Sequence, residues 1–246
     1  MEEYIDCIHL FDTEAEFTSA YTNDYTEPWV SYCMETSGLS FNKGATPPSP
    51  SHDYVEIGGI KWATMNLGAT AVTDYGKYYA WGETTGYYAN QVPTIKSFEW
   101  ADYELCDGTY QNMTKYNSSD GLRTLQPIDD AVSREWGGNW RMPTFSEWTS
   151  FLESVNTGWS DDYQGSGIAG YVCTDKTDST KTLFFPAAGH AGQGEVFDID
   201  SYGYYWSSTL TNNDVNMPRG NDFNAGGEYW DLRRNYGCSV RGILDE

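Results

Sequence analysis

A chain of 246 residues holds one large domain with room for a small appendage. Its 36 acidic residues against 14 basic ones leave a formal net charge of −22, which repels phosphate backbones and anionic lipid surfaces, so nucleic acid is not an expected partner. No window reaches the roughly 18 apolar residues of a membrane span, so membrane insertion is not expected either.

The N-terminus, MEEYIDCIHLFDTEAEF, has neither a basic stretch nor a long apolar run. The expectation is therefore no signal peptide, synthesis in the cytoplasm, and export, if any, as part of an assembly. Residues 1–43 read as an attachment or assembly segment. Within it Glu27–Met34 and Leu39–Lys43 form β-rich runs around Glu35-Thr36-Ser37-Gly38, a strand–turn–strand pattern. Residues 44–53 read as a stiff linker, because Pro47, Pro48 and Pro50 stand among small polar residues. The main domain is expected over 54–246.

That domain opens with a hairpin over Tyr54–Ala63, two β-rich runs around Gly58-Gly59. The stretch Asp74–Thr84, dense in aromatics and glycines, is expected to send its rings to the core or to the domain seam. Leu125–Gly137 reads as a short helix, with Pro127 in its first turn, Asp129 and Asp130 against the positive end of the dipole, and Gly137 as C-cap. The clearest helix begins at Thr144. Thr144 and Glu147 have capping-box spacing, and Trp148, Phe151, Leu152 and Val155 make one apolar stripe. Beyond it lie β-rich runs at Gly170–Thr174 and Thr182–Gly189, with His190–Gly194 read as a loop. Early helices followed by short strands predict an α+β domain, helices on one side of twisted antiparallel sheet.

Chemistry is sparse. The three histidines, His9, His52 and His190, form no metal-binding spacing. There is no nucleophile elbow and no phosphate loop. The pairs Asp129-Asp130 and Asp161-Asp162 leave a structural calcium ion open without specifying one. The five cysteines are scattered, without a CxxC pair, and read as small buried residues of a reduced protein, with a disulfide or two left open. No cofactor is expected, and no catalytic residue is assigned.

Several stretches together resemble the Fibrobacter succinogenes major paralogous domain family. They are Val55–Ala69, Tyr78–Thr84, Trp136–Thr144, Phe185–Gly189, Tyr205–Thr209 and Ser239–Arg241, in order over residues 54–243. The resemblance implies a C-type lectin fold, twisted antiparallel sheets with two helices, related to the formylglycine-generating enzymes. Here the small N-terminal β-hairpin appendage precedes it. It implies no catalysis, since those enzymes use a nearby cysteine pair, and Cys238 stands alone near the C-terminus. The calcium-sugar motifs of classical C-type lectins are missing as well.

The segment 201–241 also resembles the variable proteins of diversity-generating retroelements, in which a fixed frame carries mutable positions. The frame here is Trp206-Ser207-Ser208-Thr209, Phe223-Asn224-Ala225-Gly226 and Gly237–Arg241. The expected contact residues are Tyr204, Leu210, Asn212, Asp214, Asn216, Arg219, Asn221, Asp222, Asn224, Glu228, Tyr229, Asp231, Leu232, Arg233 and Tyr236. Such a mixture of rigid rings and adaptable polar groups resembles a paratope. The expectation is a non-enzymatic, phage- or prophage-borne protein of the virion tail that binds a protein or glycan on a target cell surface. A homo-oligomer is compatible with this. The alternatives are a surface carbohydrate-binding or adhesion protein with a fixed ligand, a non-variable family member whose segment is an ordinary solvated β-loop surface, and an oxidoreductase of the formylglycine-generating type.

Overall fold

The computed structural model describes residues 52–211, 214–224 and 232–246. They belong to one compact unit, Pro50–Glu246. The expectations for residues 1–43 and for most of the linker lie outside the described residues.

The hairpin forms as read. β1 (Tyr54–Ile57) pairs antiparallel with β2 (Ile60–Asn66), and Ile57 opposite Ile60 leaves a two-residue turn. Gly58 and Gly59 take φ of 61° and 79°, the double left-handed geometry that a tight hairpin turn requires. The last strand, β11 (Arg241–Leu244), lies against β2, and β3 (Trp140–Arg141) lies against β11, giving a four-stranded sheet in the order β1-β2-β11-β3. The first and last strands of the domain thus share one sheet.

Leu125–Gly137 is not one helix. Pro127–Asp129 makes a 3-10 turn, and α1 (Ala131–Trp136) starts only after Asp130. Asp130 breaks the run because it is the N-cap. Its Oδ1 accepts from the N–H groups of Val132 (2.9 Å) and Ser133 (3.0 Å), and its Oδ2 accepts from Met142 N–H (2.8 Å). Gly137 ends the helix at φ 65°. Asp129 is taken up by Lys115 and the Tyr116 hydroxyl.

α2 (Phe145–Ser154) carries the capping box: Thr144 N–H donates to Glu147 Oε2 at 2.7 Å and Glu147 N–H to Thr144 Oγ1 at 3.3 Å. Arg141 grips the same Glu147 through two nitrogens, at 2.9 and 2.6 Å. Trp148 and Phe151 are buried, meeting Trp62 with centroids 4.7 and 4.6 Å away. Each such side chain contributes roughly 1.5–3 kcal/mol by leaving water.

The chain then runs antiparallel through β4 (Val155–Ser160), β5 (Gly170–Asp175) and β6 (Thr182–Pro186), a three-stranded sheet. His190 is not in a loop: β7 (His190–Gly192) and β8 (Glu195–Phe197) form a short hairpin. β9 (Tyr202–Leu210) and β10 (Pro218–Asn224) form the last antiparallel pair. The domain is α+β, with small, mostly antiparallel open sheets and, among the described residues, two α-helices.

Candidate functional site

β9 decides what the C-terminal segment can present. Its side chains are buried on both faces from Gly203 to Ser208. Tyr205 points into the core with Trp148 and Phe185, and Trp206 into a second cluster with Trp81 and Trp140. The Trp81 indole donates to the Ser207 carbonyl (2.8 Å), and the Trp206 indole to the Tyr79 carbonyl (2.8 Å). Below this strand Arg241 is fully buried. It donates to Asn66 Oδ1 at 3.0 and 2.8 Å and to the carbonyls of Ala63 and Phe184, both at 2.9 Å, with its guanidinium stacked 4.4 Å over the Phe185 ring. Burial pulls its pKa below the usual arginine range.

β10 lies on this base in register from Gly220 opposite Trp206 to Asn224 opposite Tyr202. The ladder breaks between Pro218 and Gly220, where Ser207–Thr209 oppose the single residue Arg219. Ser207 Oγ donates to the Arg219 carbonyl at 2.7 Å and closes the gap. A cavity of ≈ 310 Å³ opens here. Five of the expected contact residues line it: Tyr204, Arg219, Asn221, Asp222 and Leu232. The walls also include Phe145, Trp206 and Cys238. The Arg219 guanidinium carbon sits 4.6 Å from the Phe145 ring centre.

The other expected contacts do not gather there. Leu210 is a correction: it is 1 % exposed and packed in the core, since β9 has no outward face for it to use. Tyr204 is 5 % exposed, so it forms cavity wall rather than open surface. Asp214 is exposed, but its Oδ1 accepts from Asn216 N–H at 2.8 Å and shapes the turn. The half-buried Asn216 offers its carbonyl to Arg234 N–H at 3.1 Å. Arg233 is exposed, 5.9 Å over the Tyr110 ring. Tyr236 packs edge-on against His190 at 5.5 Å, with its hydroxyl accepting from Gln193 at 3.4 Å. Asn224 closes β10. Asn212, Glu228, Tyr229 and Asp231 lie outside the described residues.

Sequence reasoning missed Arg234 and Asn235, which hold this segment down. Arg234 is fully buried. Its Nε donates to the Tyr103 hydroxyl (2.7 Å), and its terminal nitrogens to the carbonyls of Tyr116 (3.2 Å), Val215 (3.1 Å) and Lys115 (3.2 Å). The guanidinium also lies 5.0 Å from the Trp81 ring centre. Asn235 Nδ2 donates to the Phe98 carbonyl at 2.8 Å. Phe98 and Tyr116 both take φ of 55°, a left-handed conformation that bulky residues rarely adopt. Two consecutive side chains therefore hold two strained loops. The only signal in the sequence was a second arginine beside Arg233.

Among the described residues no group of three or more His, Cys, Asp or Glu side chains could hold a metal ion. Asp161 accepts from the Trp159 indole (2.7 Å) and Asp162 from Gly167 N–H (2.6 Å). Cys106, Cys173 and Cys238 are free thiols, the last two buried, and burial raises their pKa values. His190 stands 3.5 Å from Asp198 among Phe197, Tyr204 and Tyr236, and burial outweighs Asp198 to lower its pKa. No described helix is long and apolar enough to cross a membrane. Comparison of the chain with protein-family models, with curated proteins and with solved structures finds no match.

Proposed function

We propose that this protein is a non-enzymatic ligand-binding module whose C-terminal segment is a contact face on a C-type-lectin-type scaffold. Two helices and small antiparallel sheets fit the fold that the sequence resemblance implies. One observation carries the functional reading. The segment is held at both ends, by the β9–β10 ladder and by Arg234 with Asn235, while Arg219, Asn221, Asp222 and Leu232 converge on one open cavity. A rigid base under chemically mixed side chains suits recognition, because little ordering is left to offset on binding. The target is a protein or glycan on a cell surface, and the carrier a phage or prophage tail.

The test uses the full chain with Arg219, Asn221, Asp222, Leu232 and Arg233 randomised together. Most variants are expected to keep the parental melting temperature within a few degrees, and selection is expected to yield binders to unrelated targets. Wholesale unfolding of the library would overturn the reading. Retroelement diversification has its own test: a neighbouring reverse-transcriptase gene and an Asn-rich near-repeat of residues 201–241. Copper- and oxygen-dependent thiol oxidation would support an oxidoreductase instead.

A further inference from the structure

The cavity reading can be taken to ligand chemistry through Arg219, and this step rests on the function just proposed. A guanidinium carries five N–H donors in one plane. The Arg219 guanidinium carbon lies over the Phe145 ring, 4.6 Å from its centre. Among the described residues no carboxylate pairs with Arg219 and no acceptor takes its side-chain donors. Both partners of the stack are fixed. Phe145 is the first residue of α2, with its N–H on Thr209 Oγ1 at 3.2 Å, and the Arg219 carbonyl is held by Ser207. An arginine held against a ring at a cavity wall, with no acceptor on its side-chain donors among the described residues, is prepared for a planar anion.

We propose that Arg219 receives the carboxylate of a peptide ligand whose neighbouring apolar side chain enters the cavity against Leu232. A carboxylate is favoured over a phosphate because the chain carries a net charge of −22, and a dianion is repelled about twice as strongly as a monoanion. A peptide is favoured over a sugar acid because the wall rings Tyr204, Tyr205 and Trp206 are 5, 1 and 3 % exposed and offer no broad face for a pyranose. A cavity of ≈ 310 Å³ at the strand pair suits an aliphatic or aromatic side chain.

The experiment is ligand-observed NMR titration of the full chain with N-acetyl-phenylalanine, its C-terminal amide, and glucuronate. The acid is expected to bind about tenfold more tightly than the amide, from a charge-assisted pair that the amide cannot make. Glucuronate is expected to give no saturable signal. Arg219→Gln should abolish the difference between acid and amide without moving the melting temperature. Arg219→Lys, which keeps the charge and loses the fork, should retain part of it. Should acid and amide bind wild type equally, carboxylate recognition is wrong although the cavity still binds ligand. Should neither bind, or should Arg219→Gln leave the preference intact, the proposal falls as well. Glucuronate binding as tightly as the acid would overturn the choice of a peptide.

Discussion

The guanidinium of Arg234 holds the main-chain carbonyl of Tyr116, 118 positions earlier in the chain, at 3.2 Å. The same side chain reaches Val215 in the turn between β9 and β10, so a single residue links an early loop to the candidate face. Arg234→Met keeps much of the volume and removes every donor. Two buried and two part-buried acceptors then lose their partner, and the loss is expected to reach at least about 3 kcal/mol. Hydrogen exchange should rise first at residues 115–116 and 215–216. A variant that melts like wild type would show that the links are incidental.

Leu210 separates a packed strand from a displayed one. Leu210→Ala leaves a hole in the core cluster that holds Trp206 and Val240 and is expected to cost about 3 kcal/mol, measured by denaturant unfolding. A contact residue on an open face would cost a few tenths.

Arg233 is the opposite case. It is exposed, and the one described contact of its side chain is the Tyr110 ring. Arg233→Ala is expected to shift stability by no more than about 0.5 kcal/mol. Any larger change in affinity for a selected target then reports a contact made by that side chain.

Asp130 makes a pH prediction. Burial pushes its pKa up to about 6, against the pull of the three N–H groups it accepts from. A carboxyl whose folded pKa lies above its unfolded value binds more protons in the folded state between the two. Its contribution therefore falls as pH rises from about 4 to 6 and is flat above. Asp130→Asn cannot titrate. The stability of wild type relative to that variant should decline over this window, by about 1.4 kcal/mol for every tenfold difference in proton affinity between the folded and unfolded carboxyl. Denaturant midpoints at pH 4, 5, 6 and 7 measure it, and a flat difference would refute the assignment.

How legible was this in the sequence? Local chemistry was. Gly58-Gly59 between β-rich runs and Thr144 three residues before Glu147 act through neighbours, so they could be read before any fold was known. The split of Leu125–Gly137 was hidden because Asp130 caps by also reaching Met142, twelve positions away. β7 spans three residues, too few for periodicity to show. Leu210 misled because a strand buried on both faces has no polar side to mark. Arg234 was illegible for a different reason. Its partners are mostly backbone carbonyls, which every residue carries, so nothing in their side chains announces the contact. Which expected contact residues meet at the cavity depends on the β9–β10 register and on distant loops, and neither is marked in the sequence.

The pairing of β2 with both β1 and β11 bears on how the domain takes load. β1 and β11 run parallel to each other on either side of β2. A pull that separates residue 53 from residue 245 therefore slides the two outer strands in opposite directions past the middle one. Both rows of cross-strand bonds are strained together, where a peeling geometry would break them singly. A fold gripped this way should withstand tension along its axis while the β9–β10 pair stays in place.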